Sequence, residues 1–83
     1  MSSISLAYCW YNYIMEKLGE RLRELRHEKE LSAMALGKII HVTDTTIINW
    51  ENSKRSMSIY NLVRLAKFFE VSTDYLLGLV DGY

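Results

Sequence analysis

The chain has no proline, a single cysteine and only four glycines in 83 residues. So few turn formers argue against the many tight reversals of an all-β domain, and leave a helical one as the expectation. One cysteine cannot close an internal disulfide, so the fold must rest on its core, as is usual in a reducing compartment; Cys9 reads as a small apolar residue. No apolar run reaches the roughly 18 residues of a membrane span. The apolar stretch from Ile4 to Met15 lacks the basic leader of a secretion signal. A cytoplasmic protein is therefore expected. Net charge is also missing: ten basic and ten acidic side chains cancel, which is not the basic excess of a typical nucleic-acid binder.

What is present points to one compact domain. Apolar residues make up 49% of the chain and charged ones 24%, too hydrophobic for disorder and too short for a second core. The charges are unevenly spread. Residues 1–30 carry five of each sign. Residues 31–67 hold Lys38, Lys54, Arg55, Arg64 and Lys67 against Asp44 and Glu51, and residues 68–83 hold only Glu70, Asp74 and Asp81. A positive middle can thus face phosphates while the sum stays at zero.

Apolar spacing predicts a first helix over 16–29, with Leu18, Leu22 and Leu25 inward and Glu16, Glu20, Glu24 and Glu28 on a solvated face. Ser32 is a good N-cap for a second helix, Ala33 to Ile40. Thr43 can cap a third running to about Asn52, although its β-branched residues alone would favour a strand. Ser58 caps a fourth helix, with Ile59, Leu62, Val63, Ala66 and Phe69 expected on one buried face. Ser72 caps a fifth, Thr73 to Leu77, closed by Gly78 in a left-handed conformation. The N-terminal segment reads either way. Ile4, Tyr8, Tyr11 and Met15 make a helical stripe, while Ile4, Leu6, Tyr8, Trp10 and Ile14 alternate as in a strand. Its aromatic residues are expected to pack on the core or on a second copy, the stretch from Ile4 to Ile14 contributing to self-association. Met15 also offers an alternative start, which would remove the first 14 residues.

The helix, tight turn and helix between Leu31 and Asn52, with NWENSKRSMS after it and LVRLAKFFEVSTDYLLGL near the end, resemble the phage repressor and Cro type of helix-turn-helix, the XRE family of bacterial regulators. The resemblance runs from about Lys17 to Leu79. It implies an all-α, five-helix bundle over 15–83, preceded by an aromatic extension over 1–14, in which the third helix enters the major groove of an operator. Carried over residue by residue, it makes Asp44, Thr45, Ile48 and Asn49 base contacts, and Thr43, Asn52, Lys54, Arg55 and Lys38 backbone contacts. Ile47 is buried, Trp50 stands at the junction with the core, and Arg26 and Glu51 form an internal salt bridge.

The chain departs from the family pattern at four places. Ala33 replaces a phosphate-contacting glutamine, and His41 replaces the turn glycine, so it must take a positive φ at about 1 kcal/mol or shift the turn. Ser53 and Met57 replace a glycine and a proline. The implied activity is sequence-specific regulation of transcription, most simply repression, by a homodimer on double-stranded DNA. A toxin or another regulator is a further candidate partner. The alternative is a protein-interaction module, antitoxin-like, that keeps the fold with little DNA affinity. No enzyme, metal or cofactor is expected. His27 and His41 have no partners at metal-ligand spacing, and nothing orients Cys9 with either histidine as a nucleophile pair.

Overall fold

A computed structural model describes residues 3–82, with side chains from Tyr8 onward. The expectations that involve the side chains of Ile4 and Leu6 lie outside the described residues. Five helices follow one another: α1 (Ser3–Glu28), α2 (Ala33–Ile40), α3 (Asp44–Glu51), α4 (Ile59–Phe69) and α5 (Thr73–Leu76). No strand occurs among the described residues. The N-terminal segment takes the helical alternative, so α1 is a single run of 26 residues rather than a helix beginning at Glu16.

Four hydroxyls begin the four later helices. The side chains of Ser32, Thr43, Ser58 and Ser72 accept from the backbone N–H three residues on, at 3.0, 3.1, 3.2 and 3.0 Å. Each cap residue is extended, so the chain turns into its helix without proline. The scarcity of glycine shows at the other ends. Glu30, His41, Ser53 and Glu70 adopt left-handed φ values of 53° to 67°, where glycine would be unstrained. Gly78, at φ 78°, is the glycine that fills such a position.

The core gathers Leu18, Leu22 and Leu25 from α1, Leu36 and Ile40 from α2, Ile47 and Trp50 from α3, Leu65, Ala66 and Phe69 from α4, and Tyr75 and Leu76 from α5. The buried face of α4 differs from the one expected. Leu62, Leu65, Ala66 and Phe69 follow the i, i+3, i+4, i+7 rule inward. Ile59, in the first turn and beyond the reach of the core, is 79% exposed, and Val63 also faces outward.

Gly19 sets how closely α1 meets α3. A Cβ there would lie 2.5 Å from the carbonyl oxygen of Glu51 and 2.8 Å from that of Trp50, both backbone atoms that cannot swing away. Gly19→Ala is expected to push the two helices apart and cost about 1–3 kcal/mol, the usual range for overpacking. Urea denaturation measures this; a loss under about 0.5 kcal/mol, the size of an ordinary surface change, would show that the helices part freely.

Candidate nucleic-acid interface

The turn between α2 and α3 is short because α2 ends on a left-handed residue. His41 has φ 67° and ψ 44°, and the Val42 N–H donates to the Gly37 carbonyl at 2.8 Å, which closes the last turn of the helix. A side chain at Gly37 would meet the Val42 carbonyl at 2.6 Å, so the returning chain lies directly on α2. Thr43 then opens α3. Its hydroxyl accepts from the Thr46 N–H and pairs with the Thr46 hydroxyl at 2.8 Å.

Burial divides α3 into two faces. Ile47, Trp50 and Glu51 point inward, while Asp44, Thr45 and Ile48 are exposed and Asn49 is half-buried. Asp44 accepts from the Thr45 N–H at 2.9 Å. A carboxylate in the first turn suits the positive end of the helix dipole, so Asp44 has a structural use whether or not a base lies opposite. Thr45, Ile48 and Asn49 complete a strip of hydroxyl, methyl and amide groups along the outer face.

The opposite end of α3 is held by charge. Glu51 is the last residue of the helix and its side chain is only 3% exposed. Arg26 grips it with two bonds, Nε to Oε2 at 2.6 Å and Nη2 to Oε1 at 3.0 Å, while Nη1 donates to the Leu31 carbonyl at 3.0 Å. The hydrogen bond to Glu51 raises the Arg26 pKa still further above its ordinary high value, with desolvation opposing and the coulombic attraction adding to it. A second guanidinium joins from the same face of α1. Arg23 Nε lies 3.6 Å from Glu51 Oε1, and its Nη2 donates to Asn52 Oδ1 at 2.7 Å.

That last bond fixes the Asn52 amide. Guanidinium can only donate, so the oxygen of Asn52 must face Arg23 and its NH2 must turn away. Asn52 is exposed, and the group it is left to offer is a donor, as a phosphate requires. Arg23 was not singled out from the sequence. Its signal was present in the three-residue spacing to Arg26, which puts both guanidiniums on one side of a helix.

Of the other anticipated backbone contacts, Thr43 and Arg55 come together around an open cavity of about 390 Å3. Thr46, Trp50, Ser56, Ser58 and Asn61 also line it. Lys54 is exposed and its N–H donates to the Asn49 carbonyl at 2.8 Å, continuing the chain from the end of α3. Lys38 is exposed one element earlier, in the last turn of α2. The hydroxyls and amide of Thr46, Ser56, Ser58 and Asn61 were not anticipated as a group; only Ser58 had a sequence signal, as a cap.

Comparison with known proteins decides the family, because a model described as a helix-turn-helix domain matches residues 19–82. The chain belongs to the helix-turn-helix domain family. This helix-turn-helix chain is 38% identical over 60 residues to Repressor protein C2 of Salmonella phage P22, covering 72% of the chain and 28% of that repressor. A solved structure of the P22 c2 repressor with synthetic operator 9T is 37% identical at a TM-score of 0.67, over 71% of this chain and 89% of that one. The restriction-modification controller protein C.AhdI from Aeromonas hydrophila is 31% identical at a TM-score of 0.68, over 75% and 94%. The helix-turn-helix chain spans 28% and 55% of the lengths of the first two curated relatives it matches.

Removing one partner of a buried ion pair leaves the other charge uncompensated, typically at about 3–5 kcal/mol, against about 0–1 kcal/mol for a surface pair. Glu51→Ala is therefore expected to lose about 3–5 kcal/mol, and Arg23→Ala, whose side chain is partly exposed, no more than about 1 kcal/mol. Chemical denaturation of both variants checks this, and a loss under about 1 kcal/mol for Glu51→Ala would mean that the pair behaves as a surface one.

Proposed function

We propose that the chain is a cytoplasmic, sequence-specific DNA-binding regulator of transcription, most simply a repressor, that occupies an operator with α3 in the major groove. The observation that carries the reading is the outer strip of exposed Asp44, Thr45 and Ile48 with half-buried Asn49, on a helix whose other face is locked to α1. The similarity to a repressor solved with its operator supports it. Residues 15–83 would form the DNA-binding unit and residues 1–14 an addition to it. Working as a homodimer, the protein would set two copies of α3 about 34 Å apart, one turn of DNA.

Each residue of the strip has a natural base partner. Asn49 suits the paired donor and acceptor of adenine, Ile48 and the Thr45 methyl suit thymine methyl groups, and Asp44 can accept from a cytosine amino group. An operator half-site rich in A and T with at least one C follows. Thr43, Lys38, Lys54, Arg55 and the outward amide of Asn52 are the proposed phosphate contacts. The middle of the chain, residues 31–67, holds five cations against two acids, and three of the five, Lys38, Lys54 and Arg55, belong to this set.

A specific observation favours a second reading, a protein-interaction module with a toxin or another regulator as partner. The net charge is zero and Ala33 offers no side-chain donor at the start of α2. Titrations on selected and scrambled duplexes at two salt concentrations separate the readings. Asn49→Ala should cost about 1–3 kcal/mol on the selected duplex and relax one position. Lys54→Ala should weaken both duplexes alike and reduce the salt slope by about one unit. Asn52→Ala and Arg23→Ala should each weaken binding without changing sequence preference, and the double variant should be no worse than the poorer single one, because both act through one amide. Identical behaviour of Asn49→Ala and Lys54→Ala, or no binding of any duplex below about 10 μM, would leave the interaction module in possession of the fold.

A further inference from the structure

Residues 1–15 carry no charged side chain, and Glu16 is the first. From Tyr8 to Met15 the Asn12 amide is the one side chain that is neither apolar nor aromatic. Tyr8, Trp10, Tyr11 and Tyr13 are 65%, 60%, 49% and 40% exposed, so exposure falls steadily towards the domain and the first half of α1 projects from it. At about 100° per residue the four rings spread around the whole helix, and Tyr8 and Trp10, two positions apart, face nearly opposite ways. A helix that is apolar all round belongs in a protein interior or in lipid. The domain reaches the last of these rings, where the Tyr13 hydroxyl donates to the Gly78 carbonyl at 3.1 Å, and leaves the others largely open.

Where charges begin, they are neutralised in place. The Lys17 ammonium lies 5.9 Å from the Tyr13 ring centre and 3.8 Å from Glu20, and the Arg21 guanidinium lies 3.4 Å from Asp81. An open groove of about 580 Å3 between Cys9, Trp10, Tyr13, Gly78 and Leu79 continues the apolar surface onto the domain, where Leu79 and Val80 are exposed.

We propose that the first half of α1 docks on a lipid surface, with its rings at the level of the headgroups and the domain left in water. Two features select lipid over protein. A protein partner, a second copy included, covers one side of a helix and would leave the opposite rings wet, whereas a lipid boundary takes in the whole circumference. The chemistry also fits. Tryptophan and tyrosine gather at membrane–water boundaries, and Lys17 stands one turn nearer the domain with its ammonium beside Tyr13, the place from which a lysine reaches back to water. The helix does not cross. Residues 3–15 measure about 20 Å against a hydrocarbon core of about 30 Å, and no helix among the described residues is long and apolar enough to span a membrane. Because the nearest cations are already paired, attachment is apolar and indifferent to lipid charge.

The inference does not rest on the DNA-binding reading, and its test contains no DNA. The full chain is expected to co-sediment with phosphatidylcholine vesicles, half of it bound near about 0.1 mM lipid, the strength of a single acyl anchor. Replacing about a third of the lipid by phosphatidylglycerol, or raising salt to about 0.5 M, should change this less than about twofold. Trp10 emission should shift to the blue on attachment, while Trp50, 4% exposed, is already shielded. Tyr8→Glu and, separately, Trp10→Glu should each weaken attachment at least about tenfold, with unchanged helical circular dichroism because both side chains are largely exposed. Ile59→Glu, at an exposed apolar residue of α4, should leave attachment as it is. No attachment at about 1 mM lipid, attachment that requires phosphatidylglycerol or is lost in salt, or full attachment of either Tyr8→Glu or Trp10→Glu would overturn the proposal. So would weakening by Ile59→Glu, or a blue shift that follows protein concentration without lipid, the sign of a second copy over the rings.

Discussion

A carboxylate taken out of water at the wrong end of a helix is the constraint on which this structure turns. Glu51 sits at the C-terminus of α3, where the helix dipole already disfavours negative charge, and desolvation adds to the cost. Neither penalty is tolerable unless a cation is brought to it in good geometry. Arg26 supplies two parallel hydrogen bonds, and because it comes from α1, the outer face of α3 can have only one orientation relative to the rest of the bundle. Gly19 completes the arrangement by letting the two backbones touch just where the ion pair closes.

The same carboxylate reaches outward through Arg23. One guanidinium partly answers Glu51 and partly holds Asn52, so a buried charge is linked to the orientation of an exposed amide. Stability and the surface offered to a ligand therefore share an origin at this end of α3. At the other end they also overlap, for the Thr43 hydroxyl that starts the helix and the Asp44 carboxylate that accepts from its first turn are both exposed groups on the proposed reading face.

Much of this could be read in the sequence where the determinant was local. Ser32, Thr43, Ser58 and Ser72 are caps because of what a hydroxyl does to the next three amides, and their positions need no knowledge of the fold. α3 was different. Its threonines and isoleucines prefer a strand, and only resemblance to known regulators set that aside; the physical reason is burial of Ile47 and Trp50 against other helices, a tertiary term no local pattern contains. The buried face of α4 differs from its apolar pattern for a related reason. Ile59 and Val63 look as apolar as Leu65, but which of them is buried depends on where the neighbouring helices end. The role of Arg23 is not local either, because an arginine on a charged helix face looks solvated until its partners, 28 and 29 residues further on, are placed beside it.

The continuity of α1 has a mechanical meaning. Residues 3–28 form one helix, so the aromatic half and the half that grips α3 are two ends of a single rod whose angular setting is fixed at Gly19. Chain length between them is then a gear rather than a linker. One residue added between Met15 and Gly19 would rotate the rings by about 100° and advance them by about 1.5 Å relative to α3, whereas seven would restore their bearing to within about 20°. Variation in this part of the molecule should therefore be tolerated in steps of whole turns and resisted in between.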